Sequence, residues 1–146
     1  MINRWTLLAY SIVLVLCGFV LGNAFGPQAK AHAQAAARVY ELRTYTAPDG
    51  KLGDLHARFR NHTLRIFQRL GMTNVVYLSP VDAPLKDNTL MYLLSYPSRE
   101  AAQKSWSEFR VDPEWKKVAS ESQVNGPITS KVESVFLVPT DYSPMK

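Results

Sequence analysis

Four segments rich in aromatic and β-branched residues alternate with two segments of helical spacing, and this order constrains the fold more than any other feature. Such residues favour extended backbone, whereas apolar residues that recur every three to four positions favour an amphipathic helix. The pattern predicts strands over 38–46, 73–79, 89–96 and 130–138, and helices over 52–70 and 99–124, the second restarting at Asp112-Pro113-Glu114. Because a β-α-β-β-α-β order is typical of the ferredoxin-like fold, we expect an α+β sandwich over residues 38–144.

The first helix carries the candidate catalytic residue. The spacing of its apolar residues predicts a helix of about five turns. These residues are Leu52, Leu55, Phe59, Ile66 and Leu70. His62 and Thr63 fill the gap in this stripe, so we expect His62 to point at the sheet. Histidine is the side chain that most often acts as a general base, which makes His62 the candidate. The alternative is a core histidine whose ring is held by one hydrogen bond.

The sequence predicts no metal site and no cofactor. His56 and His62 are six positions apart, about 240° around a helix, and would not share one ion. The only cysteine, Cys17, lies before the predicted domain, which excludes an intramolecular disulfide and a thiolate site in the domain. The sequence also lacks a glycine-rich phosphate loop and a Gly-x-Ser-x-Gly turn.

The predicted sheet has one face covered by the helices and one face left open. Along the first strand, Val39, Glu41, Arg43 and Tyr45 alternate with Tyr40, Leu42 and Thr44, so neither face is uniformly polar. The alternation does not decide which set lies under the helices. A mixed open face suits a second subunit better than water, and we therefore predict a homodimer with face-to-face sheets.

The N-terminal segment differs in composition from the domain. No charged side chain occurs from Trp5 to Ala29, whereas Arg4 lies before this stretch. Ala31-His32-Ala33 forms an Ala-x-Ala pattern of the secretory kind. Residues 1–33 are therefore predicted to be a signal peptide, cleaved after Ala33, or an uncleaved membrane anchor.

An anchor would cross the membrane through residues 5–25, which reach the roughly 20 residues that a transmembrane helix needs. Residues 34–37 would link the segment to the domain. In both alternatives the domain lies outside the cytoplasm. It would be exported to the periplasm or the exterior, or held at the membrane.

The charge of the chain does not indicate nucleic-acid binding. The chain has 17 Lys+Arg and 12 Asp+Glu, hence a formal net charge of +5. Two of the basic residues, Arg4 and Lys30, belong to the N-terminal segment, and the others are interspersed with acidic ones. No basic stripe follows a phosphate backbone, so we expect no nucleic-acid partner.

Several motifs of the predicted domain resemble the NIPSNAP family. They are Tyr40-Glu-Leu-Arg-Thr-Tyr45, His62-Thr-Leu-Arg-Ile-Phe67, Gly71-Met-Thr-Asn74, Pro97-Ser-Arg-Glu-Ala101 and Trp106-Ser-Glu-Phe-Arg-Val-Asp-Pro-Glu-Trp115. The resemblance extends from Val39 to about Pro144. It implies a ferredoxin-like subunit of the dimeric α+β barrel class, whose other families include small monooxygenases. The animal members are mitochondrial or linked to vesicle traffic, and the apparent export segment separates this chain from that role.

Arg43 and Tyr45 are candidate ligand-binding residues. Glu41, Arg43 and Tyr45 alternate along the first strand and share one face of the sheet. An inward arginine would clamp a carboxylate or phosphate, or would pair with Glu41 or Glu133. Structural pairing is the favoured interpretation because buried charges are normally paired.

Trp106 and Phe109 of the second helix are expected to face the sheet, where an ordinary aromatic core is the default interpretation. A cleft for a flat apolar ligand between helices and sheet is the sharper alternative. The polar contacts of such a cleft would come from Asn74, Tyr77 and Tyr92. Three functions follow: a homodimer that binds a small hydrophobic or aromatic molecule, a cofactor-independent monooxygenase or isomerase, or a non-enzymatic scaffold at the cell envelope.

Overall fold

A computed structural model describes residues 38–145 of the chain, which contain one antiparallel sheet. Its strands are β1 (Val39–Thr46), β2 (Thr73–Leu78), β3 (Thr89–Tyr96) and β4 (Lys131–Leu137). The strand order β2-β3-β1-β4, with helices between the strands in the chain, confirms the predicted α+β class. The export or anchor segment predicted at 1–33 and the linker at 34–37 lie outside the described residues. Within 38–145, no helix is both long enough and apolar enough to span a bilayer.

The helices also follow the sequence pattern. They are α1 (Leu52–Arg58), a π-helical turn (Phe59–Thr63), α2 (Leu64–Arg69), α3 (Arg99–Val111) and α4 (Pro113–Glu121). Ser98 caps α3 by accepting a hydrogen bond from the Ala101 amide at 3.2 Å. Asp112 caps α4 in the same way at the Trp115 amide, at 2.9 Å. These side chains satisfy amide groups that the first turn of a helix leaves without a partner.

The π-helical turn explains why the predicted orientation of His62 is wrong. In this turn Thr63 takes the inward position and is 1% exposed, whereas His62 is exposed to solvent. The Thr63 hydroxyl donates to the backbone carbonyl of Arg58, five residues earlier, at 3.2 Å. Uniform α-helical spacing does not anticipate this choice, because a π turn changes which residue faces inward.

The two faces of the sheet differ in what covers them. Directly opposed residues of antiparallel strands point to the same side. Glu41, Arg43 and Tyr45 lie on the face that α3 covers, because Glu41 contacts Trp106 of that helix. The core lies between this face and the helices, and its largest buried side chains include Tyr92, Tyr96, Phe67, Leu55 and Ile66.

The opposite face carries apolar side chains that remain exposed. Val76 and Leu78 of β2 and Val135 and Leu137 of β4 all belong to it, and their exposure ranges from 36% to 55%. We call these four residues the open-face patch. The four residues lie on the two edge strands of this face, with β3 and β1 between them.

Candidate ligand-binding cleft

One carboxylate lies at the centre of the polar groups on the helix-covered face. Glu41 of β1 pairs with Leu94 of β3 on one side and with Phe136 of β4 on the other. Its side chain is 1% exposed. A carboxylate removed from water requires hydrogen-bond donors, or it becomes protonated. The neighbours of Glu41 therefore determine its charge.

Four side chains from four different elements donate hydrogen bonds to Glu41. The Ser134 hydroxyl of β4 and the Arg43 guanidinium of β1 both donate to Oε1, each at 2.6 Å. The Trp106 indole of α3 donates to Oε2 at 2.6 Å, and the Tyr96 hydroxyl of β3 donates to the same oxygen at 2.8 Å. Both carboxylate oxygens are thus occupied.

These donors keep the carboxylate ionised. Burial alone would raise the pKa of Glu41, but hydrogen bonds from Ser134, Trp106, Tyr96 and Arg43 lower it below its ordinary value of 4.5. A carboxylate with a lowered pKa and no free oxygen is poorly suited to proton abstraction. Glu41 instead positions the side chains that converge on it.

The Arg43 side chain is held between Glu41 and the Trp106 ring. Its guanidinium lies over the Trp106 ring, 4.2 Å from the ring centroid, and contacts the Tyr45 hydroxyl at 3.4 Å. Burial alone would lower the pKa of Arg43, but Tyr45, Tyr92 and Glu41 raise it above its ordinary value. Arg43 forms an ion pair with Glu41, the structural pairing that was favoured because buried charges are normally paired.

A cleft of about 700 Å³ opens beside this ion pair, between α3 and strands β1 and β4. Its lining consists of Glu41, Arg43, Tyr45, Arg99, Gln103, Trp106, Ser107, Phe109, Arg110, Ser134 and Phe136. Four of these side chains are aromatic and seven are polar or charged. This combination is typical of sites for small molecules.

The structure brings four of the predicted ligand-binding residues together. Arg43, Tyr45, Trp106 and Phe109 all line the cleft. They come from β1 and α3, which form two of the walls. Binding of a ligand by these residues stays a prediction.

The other three predicted contacts do not line this cleft. Tyr92 is fully buried in the core and stacks on Tyr77, with 5.3 Å between ring centroids. The Tyr77 hydroxyl donates to Asn74 at 2.6 Å, and Asn74 donates to the Leu64 carbonyl at 3.0 Å. Burial and the neighbouring Tyr45 raise the pKa of both tyrosines. This cluster fastens β2 to α2, which is a structural role.

His62 lies at a different groove, of about 350 Å³, between the first helical segment and α4. Arg58 also lines this groove and is only 7% exposed. Its guanidinium lies 5.1 Å from the Trp115 ring centroid and donates to the hydroxyls of Ser122 and Thr129, each at 3.5 Å. His62 therefore does not line the Glu41 cleft.

The sequence interpretation missed the polar side of α3. Arg99, Gln103, Trp106 and Arg110 recur at helical spacing and line one cleft. Their periodicity was available in the sequence, because residues three and four apart share a helix face. Only the structure reveals that Ser134 and Phe136, distant in sequence, complete the lining.

The described residues contain no cluster of three or more His, Cys, Asp or Glu side chains that would hold a metal ion. The donor set of the cleft is instead suited to an organic molecule. Guanidinium, amide and hydroxyl groups recognise oxygen atoms, and the rings provide apolar contact.

A sequence model of the NIPSNAP family matches residues 40–144. The chain belongs to the NIPSNAP family. No protein with a curated description matches it.

The fold of this NIPSNAP domain is similar to solved structures of two kinds, NIPSNAP family proteins and oxygenases. A NIPSNAP family protein of unknown function from Agrobacterium tumefaciens has a TM-score of 0.66 and 17% identity, over 76% of this chain and 96% of that one. SnoaB, a cofactor-independent oxygenase from Streptomyces nogalater, has a TM-score of 0.51 and 16% identity, over 75% and 99% of the chains. A monooxygenase from Streptomyces coelicolor in complex with nanaomycin D has a TM-score of 0.51 and 13% identity, over 77% and 95%. At these identities the likeness shows a shared fold.

Proposed function

We propose that this NIPSNAP domain binds a small hydrophobic or aromatic molecule in the Glu41 cleft. The observation that carries the proposal is a cleft of about 700 Å³ in which four aromatic side chains lie beside the ion pair of Glu41 and Arg43. A buried charge network held by four elements gives a ligand a rigid contact surface, which reduces the entropy lost on binding. The fold likeness to a monooxygenase that was crystallised with nanaomycin D supports the same assignment.

Native mass spectrometry of the full chain, recovered from the cell envelope, tests this proposal. We expect a complex whose mass exceeds that of the denatured chains by a small molecule. Trp106→Ala removes a wall of the cleft and a donor to Glu41, and it should release the added mass. Val111→Ala, on the same helix but exposed and outside the cleft lining, is the matched control. A bare protein that also fails to bind aromatic fragments would overturn the proposal.

The functional unit proposed is a homodimer that associates through the open-face patch. The exposed Val76, Leu78, Val135 and Leu137 offer an apolar surface on the face away from the cleft. Two copies would each cover the other in an isologous contact. Leu137→Asp should convert the dimer to a monomer in sedimentation experiments, whereas Val81→Asp, at an exposed loop residue, should not. A Leu137→Asp variant that stays dimeric would contradict this arrangement.

The location proposed for the domain is outside the cytoplasm, exported or tethered through the N-terminal segment. The uncharged stretch from Trp5 to Ala29 and the Ala31-His32-Ala33 pattern support it. Fractionation of cells that express the full reading frame separates the alternatives. N-terminal sequencing of the mature protein would reveal cleavage after Ala33, and recovery in the cytoplasm would contradict both.

A second candidate function is catalysis as a cofactor-independent oxygenase. The specific observation in its favour is the fold likeness to SnoaB, together with an aromatic cleft on the helix side of the sheet. Arg43 and Tyr45 would orient an anionic group of the substrate, whereas Glu41 lacks a free oxygen for proton transfer. Oxygen consumption in the presence of the ligand found by mass spectrometry tests this function. A ligand that is bound and released unchanged would leave the binding role alone.

A further inference from the structure

The charges of the Glu41 cleft are unequal, and this inequality identifies the class of ligand. Three arginines line the cleft, Arg43, Arg99 and Arg110, against a single carboxylate, Glu41. Glu41 forms its ion pair with Arg43, which leaves the other two arginines uncompensated within the lining. A cleft walled by apolar rings strengthens the field of such charges.

Neither of the two arginines forms an ion pair within residues 38–145. Arg99 lies over the Phe136 ring, 3.5 Å from the centroid, and Arg110 donates to the Ser107 hydroxyl at 3.1 Å. Glu100, next in sequence to Arg99, is within electrostatic reach of it but lines no part of the cleft. Both arginines therefore retain donors for a ligand.

The geometry of Arg99 favours a planar anion. A guanidinium that stacks on a ring uses its face, so its N–H groups, which point outward in the plane, remain free. These groups match the two oxygens of a carboxylate. Phe136 thus fixes the plane of Arg99 while leaving its hydrogen-bonding edge available.

The distribution of charge on α3 also favours an anionic ligand. Arg99, Gln103 and Arg110 face the cleft, whereas the acidic residues of this helix, Glu100 and Glu108, do not line it. Glu108 instead forms an ion pair with Lys104, at 2.6 Å. The helix therefore presents a basic face to the cleft and a mixed face to solvent.

We infer that the ligand of the cleft is an aromatic carboxylate, whose ring packs between Trp106 and Phe136 and whose carboxylate is bound by Arg99, while Arg110 adds positive charge at the other end of α3. This inference rests on the proposed function, because it assigns a chemical class to the ligand of the same cleft. A neutral aromatic molecule of equal shape would gain no charge-assisted hydrogen bond from either guanidinium group, both of which are exposed to water. The cleft would therefore discriminate by charge.

A matched pair of probes tests the inference. Titration calorimetry on the full chain at low salt compares 2-naphthoate with 2-naphthamide, which has the same rings and no charge. Since a hydrogen bond to a charged group contributes about tenfold or more in affinity, we expect naphthoate to bind at least about tenfold more tightly. Arg99→Gln should reduce this ratio about threefold to tenfold, Arg110→Gln should reduce it less, and both should leave the affinity for naphthamide unchanged.

Lys104→Gln is the control for net charge, because it removes one positive charge from α3 outside the cleft. It should leave the ratio of affinities unchanged. Equal binding of naphthoate and naphthamide would overturn the inference while preserving the proposed aromatic cleft. Failure of both probes to bind would overturn the inference and the proposed function together. An equal loss in the Lys104 and Arg99 variants would overturn it in favour of general charge attraction.

Discussion

Arg58 is buried and Arg43 is largely so, both lie over tryptophan rings, and yet they differ in what balances their charge. Arg43 meets a carboxylate at 2.6 Å, whereas the partners of Arg58 are two hydroxyls at 3.5 Å. Burial lowers the pKa of Arg58, and Tyr45 and Tyr92 offset this only in part. For Arg43 the direction is reversed and its pKa is raised. Burial of the same side chain thus has opposite consequences, depending on whether a charged partner is buried with it.

The largest expected effect on stability comes from substituting Glu41, the carboxylate that Arg43 has as a partner and Arg58 lacks. Glu41→Gln leaves the Arg43 charge buried without its counterion and should lower the free energy of unfolding by about 3–5 kcal/mol. Urea denaturation followed by circular dichroism measures it. Glu133→Gln, at an exposed residue of β4, is the control and should cost less than about 1 kcal/mol. Equal stability of the two variants would show that the Glu41 network does not stabilise the fold.

The two arginines themselves should respond differently to the same substitution. Arg43→Met deprives Glu41 of its counterion and should cost about 2–4 kcal/mol. Arg58→Met removes a charge that has no buried counterion and keeps the apolar contacts of the chain, so its effect should stay within about 1 kcal/mol. Thermal and urea unfolding of both variants provide the test. A larger loss for Arg58→Met than for Arg43→Met would reverse the comparison.

The stability of the Glu41 network should also depend on pH. Because the pKa of Glu41 is lower in the folded chain than its ordinary value of 4.5, its ionisation stabilises the fold above that value. The contribution is lost as the pH falls through the folded pKa. The difference in unfolding free energy between the wild type and Glu41→Gln should therefore narrow below pH 4.5. A constant difference from neutral to acidic pH would contradict the lowered pKa.

The smallest effects should come from the serines that contact these side chains. Ser134→Ala removes one of the four donors to a buried carboxylate and should cost about 1–2 kcal/mol. Ser122→Ala removes a long hydrogen bond to Arg58 and should cost less than about 0.5 kcal/mol. Paired urea titrations resolve a difference of this size. Similar losses in both variants would indicate that the distance to the guanidinium does not matter.

Local patterns predicted the fold because its elements depend on local chemistry. Alternation along β1 placed Glu41, Arg43 and Tyr45 on one face, and the Ser98 and Asp112 caps were evident from the residues that follow them. The pairing of Glu41 with Arg43 follows from the same alternation, since residues two apart on a strand are neighbours.

The candidate site was less predictable because it is assembled from residues distant in sequence. Ser134 meets Glu41 across 93 positions and Trp106 across 65, and such contacts arise only from strand order and helix placement. The orientation of His62 was missed for a different reason. A π-helical turn departs from the 3.6-residue period on which helical patterns rely, and so it selects Thr63 as the inward residue.

The convergence of four elements on Glu41 links the behaviour of the cleft to that of the whole domain. β1, β3, β4 and α3 share this carboxylate, so none of them opens without breaking a buried charge contact. Amide hydrogens in these elements are therefore expected to exchange with deuterium as one cooperative unit. A molecule seated on Trp106 would therefore slow exchange in β3 as well, although that strand contributes no residue to the lining of the cleft.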